Sequence, residues 1–255
     1  MSKIWAVVTG AGTGIGSALA HELAKANVHV LAIGRRLEPL KKTASLYPAL
    51  IHTLQADISS EDGLKKILDF IPPSDVVKYL VQNAAVGVPD KIENVKRSDF
   101  ELALAVNVTA PLFLTQGFLP RLKGHGRILH LGTGVAFRAQ LGTSTYGVSK
   151  MAFHRLYDQL KVELPDHGVQ IANIMVGIVD TEGLWEHYEL AKAADLPHTK
   201  YFDSAKAEGK IKSAAECAER IKFVMLDTDD IEFSKDWSIN DETLWHKYQG
   251  GVGFT

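Results

Sequence analysis

Two residues four apart, Tyr146 and Lys150 in Tyr146-Gly147-Val148-Ser149-Lys150, carry the most pointed chemistry in this chain. Reducing a carbonyl requires a hydride at carbon and a proton at oxygen, and the proton donor must ionise near the working pH. A free tyrosine, with a pKa of about 10, is too weak for that role. On a helix, a spacing of four puts both side chains on one face. At ~5 Å and an effective dielectric of ~20, the ammonium favours tyrosinate by roughly 3 kcal/mol, about two pKa units. The plain alternative is an exposed helical pair with no part in chemistry.

A second constellation lies near the start. Thr9-Gly10-Ala11-Gly12-Thr13-Gly14-Ile15-Gly16 follows a short apolar run and precedes the helical segment Ser17–Ala26. A glycine-rich strand-to-helix turn lets backbone N–H groups approach a pyrophosphate, and the helix N-terminus adds partial positive charge. The spacing is Gly-x-x-x-Gly-x-Gly, not the commoner Gly-x-Gly-x-x-Gly. Its place after the first strand points to dinucleotide binding by Gly10, Gly12, Thr13, Gly14, Ile15 and Gly16. The next apolar run ends at Gly34-Arg35-Arg36, with no acid before Glu38. An acid there would accept ribose hydroxyls, whereas an arginine accommodates a 2′-phosphate, so NADP(H) is the expected cofactor, held by Arg35 and Arg36. Otherwise the two arginines are solvated residues opening a helix.

These residues need a scaffold, and the pattern supplies one. Ile4–Val8, Val28–Ile33, Ile51–Leu54, Val76–Val81, Arg127–Leu131 and Val169–Val176 read as strands separated by helix-length segments. That rhythm predicts an α/β fold: a Rossmann-like, doubly wound, mainly parallel sheet with helices on both faces and ligands at the carboxyl ends of its strands. Helix starts are expected at Ser59/Ser60 and at Ser98-Asp99, and a helix stop at Gly168. Residues 182–210 mix Trp185, His187, Tyr188, His198, Tyr201 and Phe202 with charges. They read as a long polar loop acting as a substrate lid with apolar anchors, which suggests a largely apolar substrate. A helix over Ser213–Leu226 and an edge strand near Trp237–Ile239 complete one domain spanning 1–255.

Composition narrows the classes further. A chain of 255 residues, 46% hydrophobic and 23% charged, can bury a sizeable core. The net charge of -2 offers no field for nucleic acid or anionic lipid, so neither a nucleic acid nor a membrane is an expected partner. Cys217 is the only cysteine, and the histidines His125, His130 and His154 offer no metal spacing, so no metal site is expected. The apolar run Ile4–Val8 is too short for a signal segment, and a cytoplasmic location is expected.

With the glycine turn and Tyr146-x-x-x-Lys150 together, the sequence resembles the short-chain dehydrogenase/reductase family, in its compact single-domain branch, from about Ile4 to Leu226. The resemblance implies an adenine-side contact at Asp57-Ile58. It implies cofactor contacts at Asn83 and Ala84 of Gln82-Asn83-Ala84-Ala85, and at Ile178 and Thr181 of Val176-Gly177-Ile178-Val179-Asp180-Thr181. Tyr146 and Lys150 would also touch the cofactor. Asn107 would hold a water relaying protons through Lys150. The family's catalytic serine, thirteen residues before the tyrosine, falls on Thr133, which keeps the hydroxyl on a stiffer, branched side chain; Ser144 is the other candidate. Ala85 stands for a glycine and Val176 for a proline. The family's Asp-Gly-Gly strand ending is replaced by Ser238-Ile239-Asn240-Asp241-Glu242, so in a homo-oligomer a dimer is favoured over a tetramer. The expected function is hydride transfer between NADP(H) and a carbonyl or alcohol carbon of a small molecule. The rivals are a dinucleotide-binding regulator that has lost catalysis and a sugar epimerase or dehydratase of the same superfamily.

Overall fold

Runs of β-branched and apolar residues form parallel strands here because helices return the chain to the same end of the sheet after each one. The computed structural model describes residues 2–242 and Trp245; the remainder of the expected 1–255 span lies outside the described residues. The strands are β1 (Ile4–Thr9), β2 (His29–Gly34), β3 (Ile51–Gln55), β4 (Val76–Gln82), β5 (Arg127–Gly132), β6 (Gln170–Met175), β7 (Val179–Asp180), β8 (Lys212–Ser213) and β9 (Asp236–Ser238). Seven of them pair in the order β3-β2-β1-β4-β5-β6-β9. Every pairing in it is parallel, so the expected doubly wound sheet is present, with no antiparallel member among the described residues. The order reverses between β1 and β4, where a crevice must open as their connections depart to opposite faces.

The helices are α1 (Gly14–Lys25), α2 (Leu37–Ala44), α3 (Glu61–Phe70), α4 (Arg97–Leu104), α5 (Ala110–Leu122) and α6 (Ser144–Glu163). They continue with α7 (Glu182–Ala193), α8 (Thr199–Ala207), α9 (Ala214–Leu226) and the short α10 (Asp230–Phe233). Alternation along β1 sends Ala6 and Val8 into a core shared with α1, α2 and α9, and Trp5 and Val7 into a core shared with α3, α5 and α6. The helical run Arg97–Leu122 is long and apolar enough by composition to cross a membrane. Here Val106, Ala110, Leu114, Phe118 and Leu122, at steps of four, are buried against the sheet.

Local signals acted largely as their chemistry dictates. Ser60 caps α3, its hydroxyl accepting from Gly63 N at 3.1 Å. Gly168 stops the turn after α6 with φ +65°, the left-handed conformation that favours glycine. The start expected at Ser98-Asp99 falls one residue earlier, at Arg97, leaving Asp99 inside the first turn, where its charge suits the helix dipole. Residues 182–210 are not a loop. They fold into α7 and α8, whose sequences look polar because each buries only an alanine, Ala191 and Ala205. The Thr181 hydroxyl caps α7 from Leu184 N at 3.1 Å, and a parallel bridge between β7 and β8 ties the two ends of the segment together.

Replacing Ser60 with alanine removes the α3 cap and should lower stability by ~1 kcal/mol. Urea unfolding of Ser60→Ala against wild type measures it, and an unchanged midpoint would show the cap to be idle.

Candidate active site

The carboxyl ends of β1 and β4 meet in a knot of hydrogen bonds. Asn83 Nδ2 donates to the Thr9 carbonyl at 2.8 Å and to the Gly10 carbonyl at 3.1 Å. In return the Thr9 hydroxyl oxygen accepts from the N–H groups of Asn83 and Ala84, each at 3.1 Å. The turn that follows requires glycine for two different reasons. Gly10 and Gly14 have φ of +68° and +57°. Gly16, the first tight contact inside α1, has no room for a Cβ, which would run into the Gly10 carbonyl and the Asn83 amide. The helix therefore begins at Gly14, three residues before the expected Ser17, with Thr13 at its N-cap.

Beside this turn lies a cavity of about 330 Å³. Of the residues expected to hold a dinucleotide, Gly10, Gly12, Thr13, Gly14, Ile15, Arg35, Arg36, Asp57, Ile58, Asn83, Ala84 and Thr181 all line it. Gly16, Tyr146, Lys150 and Ile178 do not. Gly16 acts as a spacer under the turn, and the Ile178 carbonyl is taken up by Lys212 N at 3.3 Å beside the β7–β8 bridge. Ile33, Gly34, Pro39, Ala56, Ala85, Val86, Val106 and Gly183 complete the wall; Val86 and Gly183 lie in no motif read from the sequence. The glycine cradle opening a 12-residue helix, a carboxylate and an arginine along one crevice fit the phosphate, ribose and adenine parts of a dinucleotide.

The two arginines part company. Arg36 makes a forked ion pair with Glu182, at 3.0 and 3.2 Å, which raises the proton affinity of the guanidinium and lowers that of the carboxylate. Arg36 thus lines the crevice with its fork engaged by the first residue of α7. Arg35 has no hydrogen bond or ion pair to its guanidinium among the described residues and acts electrostatically on Asp57. The Asp57 carboxylate accepts from the hydroxyl and N–H of Ser59 at 2.7 and 2.9 Å, which holds it below the usual carboxylate range.

Tyr146 and Lys150 face inward from the first turns of α6, so the exposed-pair alternative fails: Lys150 is only 5% exposed. Burial pushes the Tyr146 hydroxyl up to about 12 and the Lys150 ammonium down to about 7. The lowering of Tyr146 by Lys150 expected from their spacing is overturned here. Lys150 Nζ donates to the Leu131 carbonyl at 2.7 Å and lies over the Phe153 ring, and desolvation is the largest influence on both groups. The group that opposes burial at Tyr146 is the Thr133 side chain. Thr133, directly after β5, is therefore the hydroxyl brought to Tyr146, and Ser144 at the start of α6 is not given that interaction.

Asn107 sits in a π-helical turn, Ala105–Thr109, that joins α4 to α5. Its Nδ2 donates to the Val86 carbonyl at 2.7 Å and to Ser149 Oγ at 2.8 Å, and its Oδ1 accepts from Val86 N at 2.9 Å. Both side-chain donors are thus spent on scaffold, and Asn107 clamps the β4 exit to α6. Gly87 completes that junction: a Cβ there would stand 2.6 Å from Tyr146 Cβ. Gly87 lies in no motif, and Ser149, though inside the Tyr146–Lys150 motif, has its partner Asn107 far away in the chain, so sequence assigns neither a role. His130 is fully buried and stacked on Phe153 at 4.1 Å, its affinity for a proton driven well down by desolvation.

Fold and crevice together define a dinucleotide-binding α/β protein with a hydroxyl pair beside the ligand site. The short chain dehydrogenase family model matches residues 4–190, and the chain belongs to that family of oxidoreductases. It is 30% identical over 182 residues to an uncharacterised oxidoreductase of Staphylococcus epidermidis, covering 69% of this chain and 78% of that one. It is 31% identical over 192 residues to an NADPH-dependent 3-dehydrocapnine reductase of Ornithobacterium rhinotracheale, covering 71% and 67%. Among solved structures, L-sorbose reductase from Gluconobacter frateurii, complexed with NADPH and L-sorbose, superposes with a TM-score of 0.79 at 21% identity, covering 93% of this chain and 95% of that one.

A lysine whose folded pKa is depressed to about 7 binds fewer protons folded than unfolded between there and its ordinary 10.5. The unfolded chain holds the extra proton, so this residue's contribution to stability rises with pH across that window and is most unfavourable below it. Lys150→Met should therefore stabilise the ligand-free protein by a few kcal/mol at about pH 6 and progressively less toward pH 10. Thermal melts at both values test this; a pH-independent difference would mean that Lys150 keeps its charge throughout.

Proposed function

We infer that this chain is an NADP(H)-dependent reductase that moves a hydride between the nicotinamide and a carbonyl or alcohol carbon of a small molecule. The observation that carries the reading is the placement of the Tyr146 and Thr133 hydroxyls together, at the carboxyl ends of the strands, next to a glycine-cradled crevice. The NADPH named for the Ornithobacterium reductase supports the cofactor assignment. A cytoplasmic protein with no nucleic-acid or membrane partner, working as a single domain or a dimer of such domains, belongs to the same reading.

NADPH held along the Gly10–Gly14 turn and beside Arg35 would supply the hydride for the carbonyl carbon. Tyr146 gives its proton to the carbonyl oxygen as that carbon is reduced, so the carbonyl becomes an alcohol and a tyrosinate remains. Burial keeps Tyr146 protonated at neutral pH and makes it a weaker acid than a free tyrosine, so its proton leaves only as the carbonyl oxygen gains charge from the arriving hydride. Thr133 donates to the same oxygen and orients it. Lys150, with a proton affinity near neutrality, is the group on the α6 face able to return a proton to the tyrosinate. Asn107 and Ser149 hold the α6 start against Val86 and so fix where the hydroxyl points.

Tyr146→Phe should bind NADPH normally while turnover falls about 10²- to 10⁴-fold. Thr133→Ser should stay active and Thr133→Val should not. Steady-state assays with a panel of aldehydes and ketones decide this; undiminished kcat in Tyr146→Phe would return the chain to a regulator that binds its dinucleotide without turnover.

Cofactor choice rests on Arg35, whose free guanidinium can take a 2′-phosphate. A charge-assisted contact of ~1.5 to 3 kcal/mol corresponds to roughly a 10- to 100-fold preference for NADPH over NADH. Arg35→Ala should raise the Kd for NADPH by that factor and leave NADH unchanged, whereas Arg36→Ala should act weakly because its fork is held by Glu182. Fluorescence titration of both cofactors measures it, and equal weakening of NADPH and NADH in Arg35→Ala would remove the NADP assignment.

A further inference from the structure

Arg35 and Arg36 follow each other at the end of β2, and with Asp57 they are the charged residues lining the dinucleotide crevice. The end of this strand is where a Rossmann-type sheet meets the 2′ position of the adenosine ribose. A 2′-phosphate arrives there with roughly two negative charges. Each arginine is opposed by a carboxylate. Asp57 and Arg35 act on each other electrostatically, and Glu182 holds Arg36 in a fork at 3.0 and 3.2 Å. Two guanidinium groups and two carboxylates leave this end of the crevice without net charge.

The two carboxylates are committed differently. Asp57 accepts from the hydroxyl and N–H of Ser59 at 2.7 and 2.9 Å and so belongs to its own turn. Among the described residues, the hydrogen bonds of the Glu182 carboxylate are the two from Arg36. Glu182 reaches that arginine because the root of α7 is pinned beside the glycine turn. Thr181 and Gly183, on either side of it, line the crevice, and a Cβ on Gly14 would stand 3.0 Å from the Thr181 methyl. The Thr181 cap on Leu184 N and the β7–β8 bridge fix the backbone here. The Glu182 carboxylate makes none of these contacts, so α7 keeps its place without that charge, less the modest dipole contribution of any first-turn acid. Glu186, one turn further along α7, adds to the negative field on Arg36.

We propose that Glu182 is a cofactor-specificity residue: its carboxylate withholds the Arg36 fork from the 2′-phosphate and so limits the preference of this site for NADP(H) over NAD(H). The proposal rests on the NADP(H) reading above and adds to it what restrains the preference that Arg35 creates. A guanidinium fork matches a carboxylate or a phosphate, and one fork serves one such partner at a time. The side chains of the pair are 57% and 46% exposed, and an ion pair so open to water is weak. Glu182 therefore competes with the phosphate for Arg36 without locking it away. Removing the carboxylate turns that competition into a second phosphate contact.

Glu182→Gln keeps the size of the side chain and removes its charge. Fluorescence titration should show NADPH binding tightened about three- to tenfold, with NADH within about twofold of wild type. Arg36→Ala, weak in its effect on the wild type, should cost about three- to tenfold in NADPH affinity once Glu182 is Gln, closing a double-mutant cycle. Adding Glu186→Gln to Glu182→Gln keeps the next carboxylate from taking up the vacated fork and should show the full gain. Calorimetry with adenosine 2′,5′-bisphosphate against AMP repeats the contrast without a nicotinamide. A gain confined to the bisphosphate upholds the role of Glu182 even if no carbonyl is turned over. Equal tightening of NADPH and NADH, a gain that persists in Arg36→Ala, or no gain in the doubly substituted chain overturns the proposal. Weaker NADPH binding in Glu182→Gln also overturns it, and makes the fork a strap that closes the crevice over its ligand. A wild-type chain that binds neither nucleotide removes the NADP(H) reading and this proposal together.

Discussion

Everything at the ligand end of this protein depends on how closely β1 and β4 approach each other where the strand order reverses. Two parallel strands whose connections leave toward opposite faces expose unpaired carbonyls and amides at their carboxyl ends, and buried groups of that kind must find partners. Asn83 and Thr9 supply them to one another across the gap. The exchange leaves no volume for a side chain at Gly16 and turns Gly10 into the left-handed region. The cradle is therefore a by-product of satisfying two strand ends, and its glycines are the residues that let the backbone do so.

The second constraint is burial at the start of α6. Tyr146 and Lys150 are drawn out of water by the same packing that places them, and desolvation moves both toward their neutral forms. A tyrosine stabilised as an acid next to a lysine poised near neutrality is a proton donor with a reserve behind it. The geometry is held from outside the pair: Asn107 and Ser149 bind α6 to Val86, the Thr145 hydroxyl donates to the Val88 carbonyl at 2.7 Å, and Gly87 lets the β4 exit lie against the Tyr146 side chain. The π-helical turn that carries Asn107 interrupts the regular helix where that clamp is needed.

The α7–α8 segment runs from the dinucleotide crevice to a second cavity. Its first residue, Glu182, takes the fork of Arg36 at the dinucleotide crevice, and its second helix begins at the cavity beside Arg138. Between them the helices lean on each other through Tyr188, His187, His198 and Phe202, and the Tyr188 hydroxyl donates to Asp203 at 2.8 Å. Trp185, read as an apolar anchor, instead donates its indole N–H to Asp180 at 2.7 Å, close to the root of the segment. Its aromatic residues serve the segment's own packing, and their composition says little about the polarity of what lies beneath.

The sequence by itself determined the order and type of the sheet strands, because period and β-branched content depend only on neighbours along the chain. It also determined the glycine turn, since glycines needed for backbone reasons are visible as glycines, and the helical spacing of Tyr146 and Lys150. It misread 182–210 because short amphipathic helices that bury one alanine apiece look like loops. Tertiary structure alone decided that Lys150 turns to Leu131, that Thr133 and not Ser144 reaches Tyr146, and that Glu182 claims Arg36 while Arg35 stays free. Those outcomes turn on contacts between residues far apart in the chain and on the depth at which each charge is buried, and neither quantity is carried by local spacing.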